Sequence, residues 1–217
     1  MNKPRIKICG IRRPEDVELM NRERPEDVGF VFWRKSRRCV SRETAAGLRR
    51  QLDPQIRSIG VFVDAAPEEI MELVEQHIIT VVQLHGHEEA DYLAELRKRI
   101  PGTEIWKACL IHSRDDLMAA QQSSADMLLL DSGLGGGRRF DWSLLQDIHR
   151  PYYLAGGLDP ENVVDAVRTL RPYGVDVSSG VEQDGIKDGE KVRRFIRAVR
   201  ENDGMRKTEK ESGGEKA

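Results

Sequence analysis

The sequence predicts an α/β chain folded as one closed (β/α)8 barrel, and three observations carry that prediction. Eight short apolar runs recur along the chain. Their starts fall about 22 to 29 residues apart, the length of a strand, a loop and a crossover helix. The intervening stretches repeat apolar residues at helical spacing, and no change of composition divides them. With 217 residues and 39% hydrophobic content, the chain can bury one large core but is short for two independent domains. A doubly wound open sheet is the competing architecture. No G-x-G-x-x-G follows the first run, which counts against its dinucleotide-binding version. A single barrel domain of the TIM-barrel class is therefore expected over residues 1–202.

The predicted strands are Arg5–Cys9, Val28–Phe32, Arg57–Val63, Val81–His85, Glu104–Ala108, Met127–Asp131, Tyr152–Ala155 and Gly174–Ser178. In the first, Ile6 and Ile8 alternate with Lys7 and Cys9, so the aliphatics turn to one side and the ammonium and thiol to the other. Gly10 ends it. Between strands, Ile70, Leu73, Val74 and His77 repeat at i, i+3, i+4, i+7, as do Val163, Ala166, Val167 and Leu170. Val192, Phe195, Ile196 and Val199 give the last helix the same face. Start signals agree: Pro67 and Pro160 suit a first helical turn, Ser41 and Asp159 suit N-caps, and Ser113 with Asp116 resembles a capping box. The helix after the sixth strand, beginning near Asp141-Trp142, looks short. Beyond Asn202 the pattern stops, and 203–217 is Lys, Glu and Gly with almost nothing apolar, the composition of a disordered extension.

Lys and Arg total 35 against 37 Asp plus Glu, a formal charge of −2, which argues against a general affinity for nucleic acid or anionic membrane. Small molecules are the expected partners. The three cysteines, Cys9, Cys39 and Cys109, are odd in number, far apart and without C-x-x-C pairing, so neither a disulfide framework nor a zinc site is indicated. No apolar run could span a bilayer, and the first residues lead directly into a strand rather than a signal peptide; a cytoplasmic protein is expected.

In a parallel barrel the ends of the strands that precede the helices carry the chemistry. Cys9 and Asp131 are each the last inward residue of a strand, with Lys7 and Leu129 two residues earlier on the same faces. A carboxylate closing a Leu128-Leu129-Leu130 run is rarely left buried without a partner. Cys9 read alone is better explained by plain core packing. Gly156-Gly157 ends the seventh strand and Ser178-Ser179-Gly180 the eighth. Two glycine-containing turns side by side at a barrel mouth suit a phosphate, although tight geometry alone also calls for glycine. Lys7 and Asp176 should both face inward on neighbouring strands; an ion pair between them is the expectation, with Lys7 as a thiolate-stabilising cation beside Cys9 the alternative. His85 and His87 invite a metal reading, but no third ligand appears at another strand end. Gly133 and Gly135-Gly136-Gly137 would serve a closing lid or a plain connection equally well.

A resemblance covers the chain from the first strand to the last helix. Lys7-Ile8-Cys9-Gly10-Ile11, Gly29-Phe30-Val31-Phe32 with Lys35-Ser36-Arg37-Arg38, Gly60-Val61-Phe62-Val63, Gln83-Leu84-His85-Gly86, Phe140-Asp141-Trp142, Gly156 to Val163 and Val175 to Glu182 resemble the phosphoribosylanthranilate isomerases. The resemblance implies an enzyme of tryptophan biosynthesis that converts N-(5-phosphoribosyl)anthranilate to 1-(2-carboxyphenylamino)-1-deoxyribulose 5-phosphate by an Amadori rearrangement, without cofactor or metal, as a monomer or homodimer. It also implies Cys9 as general base, Asp131 as general acid, and the substrate carboxylate on Arg38, whose planar guanidinium can grip it through two hydrogen bonds. Asp176 holds sugar hydroxyls in that family, which competes with its pairing to Lys7. The phosphate falls on Gly156, Gly157, Ser178, Ser179 and Gly180. Two departures stand out: Cys39 where relatives usually place an aromatic, and Ala155 where a serine is common.

Overall fold

The computed structural model describes residues 3–131, 142–145 and 147–201. Eight parallel strands close into a barrel in sequence order, β1(Arg5–Cys9), β2(Asp27–Val31), β3(Arg57–Phe62), β4(Val81–Leu84), β5(Glu104–Leu110), β6(Met127–Asp131), β7(Tyr152–Ala155) and β8(Gly174–Val177). Closure comes from β1, which pairs with β2 on one side and β8 on the other. The connecting helices are α1(Pro14–Glu23), α2(Arg42–Gln51), α3(Pro67–Glu75), α4(Ala90–Arg99), α5(Arg114–Gln121), a 3₁₀ turn at Trp142–Leu145, α6(Val163–Leu170) and α7(Gly189–Glu201). The sequence therefore predicts every strand of the barrel, with ends that differ by one or two residues. Asp141, the glycines from Gly133 to Gly137 and residues 203–217 lie outside the described residues.

Alternation along the strands builds two cores. Outward residues such as Ile6, Ile8, Val28, Phe30, Val82 and Leu84 pack beneath the helices in one large cluster. Inward residues stack in layers. Ile59, Val81, Trp106, Met127, Leu129 and Tyr153 belong to one inner cluster spanning more than one layer, and Cys9, Val31 and Val61 form another toward the mouth. The helices bury the faces their periodicity announces. In α7, Val192, Phe195, Ile196 and Val199 are all buried, each contributing roughly 1.5 to 3 kcal/mol. Ser41 and Ser113 cap α2 and α5, accepting from the N–H groups of Thr44 and Asp116. Pro67 opens α3.

Three local readings need correction. Pro160 is not in a first helical turn: Asp159 accepts from the N–H groups of Glu161 and Asn162, this turn absorbs the proline, and α6 starts only at Val163. His77 does not continue the α3 face, because it sits past the helix end with φ 53°. A hairpin that the sequence reading passed over follows β8: β9(Glu182–Gln183) pairs antiparallel with β10(Ile186–Lys187). Its two turn residues, Asp184 and Gly185, have φ values of 52° and 76°, the conformation that favours Asp-Gly.

The floor of the barrel is held by charge. Asp27 is wholly buried, and its carboxylate accepts from Arg5 (3.0 Å), Arg57 (2.7 Å) and the Tyr153 hydroxyl (2.5 Å). Arg57 also reaches Glu104 at 2.8 Å and lies 5.7 Å over the Trp106 ring. β2 begins at this aspartate rather than at Val28 because its two arginines let it enter the interior. Replacing Asp27 by Ala leaves two half-buried guanidinium groups and a buried phenol without their acceptor. Asp27→Ala is expected to lose about 3 kcal/mol of unfolding free energy in urea titrations, at the lower end of what breaking such a pair costs. An unchanged midpoint would refute that role.

Candidate active site

The face opposite this floor carries an open cavity of about 1460 Å³. Its lining includes Cys9, Arg38, His85, Asp131, Gly156, Gly157, Asp176, Ser178 and Ser179, and it continues outward past Leu93 and Ala120 between α4 and α5. The predicted site residues come from β1, β2, β6, β7 and β8 or the loops that follow them, and all but Gly180 line this one opening.

Cys9 stands at the top of β1. Gly10 (φ 84°) turns the chain there, and the N–H groups of Gly10 and Ile11 both donate to the Gly29 carbonyl. On the neighbouring strand a Cβ on Gly29 would lie 2.7 Å from the Cys9 sulfur, so only glycine leaves the thiol room. One layer below, the Lys7 ammonium is fully buried, 2.9 Å from Asp176 Oδ1. Burial works to remove its proton, but Asp176 and then Cys9 outweigh it and hold Lys7 above the ordinary lysine range. The two sequence expectations for Lys7 are thus compatible: it pairs with Asp176 and also faces the thiol. Burial pushes the Cys9 thiol up; Lys7 and Lys187 pull against this and Asp176 adds to it, leaving the thiol above its usual value.

Across the opening, β6 ends on Asp131, whose side chain is partly exposed. His85 Nε2 lies 3.8 Å from Asp131 Oδ2. Burial holds the imidazole below its ordinary pKa against the opposing pull of Asp131, so the ring is neutral near pH 7. The Gln83 amide lies 3.1 Å from Nδ1 and fixes the plane of the ring. The sequence reading weighed His85 only as a metal ligand. His87 does not share its side: it is 95% exposed and bonded to Asp64 at 3.1 Å. Among the described residues no group of three or more His, Cys, Asp or Glu could hold a metal.

The two glycine turns meet. Gly156 and Gly157 both have positive φ, 85° and 66°. A Cβ on Gly180 would fall 1.9 Å from the Leu158 carbonyl oxygen, so the turn after β8 can seat against the turn after β7 only without a side chain. The Ser178 hydroxyl donates to the Cys9 carbonyl at 3.1 Å, tying this turn to β1.

Arg38 differs from expectation. Of the basic residues after β2, Arg34, Lys35 and Arg37 are exposed and Arg38 alone turns into the cavity wall. Its Nε and Nη2 already donate to Glu182, at 2.7 and 2.8 Å. Glu182 is buried and also accepts from Lys187 at 2.8 Å. Trp33, 39% exposed, lines the same opening and supplies an aromatic surface where Cys39 does not. The sequence offered signals for these: Asp184-Gly185 announces the hairpin, and His85 shares the inward face of Gln83 two residues earlier.

A parallel barrel with a thiol, a carboxyl and paired glycine turns around one opening defines the class, that of the (β/α)8 barrel enzymes. The family model described as N-(5'phosphoribosyl)anthranilate (PRA) isomerase matches residues 6–198, and the chain belongs to that family of isomerases, which serve tryptophan biosynthesis. An N-(5'-phosphoribosyl)anthranilate isomerase of Acetivibrio thermocellus is 46% identical over 215 residues, covering 92% of this chain and 97% of that one. A crystal structure of a phosphoribosyl anthranilate isomerase in complex with reduced 1-(o-carboxyphenylamino)-1-deoxyribulose 5-phosphate is 37% identical, with a TM-score of 0.82 over 91% of this chain and 99% of that one. Another, described as monomers of the dimeric Thermotoga maritima enzyme, gives 0.81 at 37% identity, covering 91% of this chain and 99% of that one. Among the described residues no helix is long and apolar enough to cross a membrane.

Two measurements check these electrostatics. In a Cys39→Ser, Cys109→Ala background, the ultraviolet thiolate absorbance of Cys9 should titrate above the ordinary value of about 8.5, and Lys7→Met should move it higher still. Titration at or below that value would contradict the burial. Lys7→Met and Asp176→Asn should each destabilise the fold by about 3 kcal/mol, and the double variant by clearly less than the sum; additivity would show that the two do not interact.

Proposed function

We propose that this chain converts N-(5'-phosphoribosyl)anthranilate to 1-(2-carboxyphenylamino)-1-deoxyribulose 5-phosphate, with Asp131 as general acid and Cys9 as general base. One observation carries the assignment: the thiol and the carboxyl, ends of β1 and β6, line the same cavity at the strand ends where barrel chemistry occurs. Asp131 gives a proton to the furanose oxygen, the C1–O bond breaks, and the aniline nitrogen's lone pair forms the C=N bond of a Schiff base. The Cys9 thiolate then removes the C2 proton, the electron pair moves into an enolamine, and proton return to C1 leaves the ketone. No electron acceptor or second substrate is needed.

The remaining roles follow from position. The phosphate sits against Gly156, Gly157, Ser178, Ser179 and Gly180, and the ring carboxylate on Arg38. With its Nε and Nη2 edge on Glu182, Arg38 presents its Nη1 end to the ligand. Asp176, engaged through Oδ1 with Lys7, supports the floor of the sugar site. His85 stands beside Asp131, with its Nε2 3.8 Å from Oδ2. Three free thiols suit a reducing, cytoplasmic setting. The homodimer described for the Thermotoga maritima relative makes a homodimer the first arrangement to test.

The test is turnover of N-(5'-phosphoribosyl)anthranilate followed by its fluorescence. Cys9→Ser and Asp131→Asn should each lower kcat by about a hundredfold or more, the scale of acid–base catalysis. Wild-type kcat in Asp131→Asn would remove the proposed acid, and the same result in Cys9→Ser the proposed base.

A further inference from the structure

We infer that the buried Glu182–Lys187 pair is a positioning device that aims Arg38 at a ligand carboxylate and fixes its distance from the phosphate turn. The inference rests on the reading of Arg38 given above. Glu182 and Lys187 are 4% and 1% exposed at their side chains, yet neither belongs to the barrel: both sit on the hairpin β9–β10 that follows β8. A buried ion pair is a poor means of holding a hairpin together, since an apolar pair of similar size serves as well or better. What an apolar pair lacks is the ability to orient a guanidinium.

The geometry shows that orientation. The two oxygens of Glu182 take the Nε and Nη2 edge of Arg38 at 2.7 and 2.8 Å, fixing the plane of the guanidinium. Lys187 fixes Glu182 in turn, donating to Oε1 at 2.8 Å and to the Ser178 carbonyl at 3.0 Å. Its ammonium therefore spans the carboxylate-binding arm and the turn assigned to the phosphate. Arg12 pins the hairpin from the other side, donating to the Gly185 carbonyl at 2.7 Å and the Arg37 carbonyl at 3.2 Å. Arg38 and Lys187 hold the Glu182 carboxyl, against its burial, at about 2, so this carboxylate stays charged throughout the neutral range.

Neither residue touches the reacting atoms, so each is a positioning residue, and removing either should loosen the grip on one substrate group. The experiment compares two inhibitors: the reduced product, which carries the ring carboxylate, and its phenylamino analogue, which lacks it. In Glu182→Gln the amide cannot accept from both guanidinium nitrogens. Its Ki for the reduced product should rise about tenfold while that for the analogue shifts less than about twofold, with KM for substrate rising more than kcat falls. Glu182→Asp should recover part of the loss. Lys187→Met, a second variant independent of how well Glu182→Gln folds, should weaken both inhibitors through the Ser178 turn and the reduced product several-fold more than the analogue. Equal weakening of both inhibitors, or no weakening, in the folded variants would overturn the inference. Arg38→Met separates the two levels: no selective loss there overturns the reading of Arg38 itself, whereas selective loss there but not in Glu182→Gln overturns only the positioning role.

Discussion

An ammonium sealed in a protein interior has to meet a carboxylate, and Lys7 meets Asp176 only because β8 closes onto β1. The ladder sets Lys7 opposite Asp176 on one side and Asp27 on the other, so the register of both seams is tied to charge as well as to backbone hydrogen bonds. A slip of one residue would turn Lys7 outward beneath the helices and bring Ile6 or Ile8 to the axis. The barrel thus has a chemical marker for its closure, one layer below the thiol.

The two ends of the barrel use charge differently. At the floor, Asp27, Arg5, Arg57 and Tyr153 satisfy one another beside the Trp106 and Tyr153 rings, which are tilted at 35° with centres 4.4 Å apart. At the mouth the groups are partly exposed and border a cavity: His85 stands beside Asp131 at 3.8 Å, longer than a hydrogen bond, and Arg38 lines the same opening. Polar groups satisfied by one another make a rigid base, while those turned to a cavity can interact with a substrate.

Much of this was legible in the sequence, because a barrel repeats one unit and alternation within each strand separates inward from outward residues. Cys9 and Asp131 could be placed at the mouth by counting two residues from Lys7 and Leu129. Asp27 could not be placed in a strand that way: a charged residue beside Glu26 reads as loop, and its two arginines lie 22 and 30 residues away in the chain. Arg38 was read as a free fork because its partner lies 144 residues away on a hairpin whose strands have two residues each, too short to show alternation. Strand alternation was enough to expect the pair of Lys7 and Asp176 on neighbouring strands, whereas the partners of Asp27 and Glu182 leave no such periodic trace.

Those ties also bear on how rearrangement could be promoted. The Cys9 carbonyl accepts from Ser178, the Ser178 carbonyl from Lys187, and Lys187 and Arg38 share Glu182, so Cys9, the turn proposed for the phosphate and the arm proposed for the carboxylate form one connected piece. A substrate bound by its phosphate and its ring carboxylate has its two ends fixed at a separation the protein sets, and the ribose between them is left little freedom. Binding energy from these unreactive ends can then be spent on bringing the ring oxygen to one side chain and C2 to another. A thiol that burial keeps above its ordinary pKa is a stronger base once ionised, and the nearby lysines favour that ionised form. Burial and positive charge oppose each other in the pKa of Cys9: burial makes the thiolate a stronger but scarcer base, and the lysines make it more abundant and less basic.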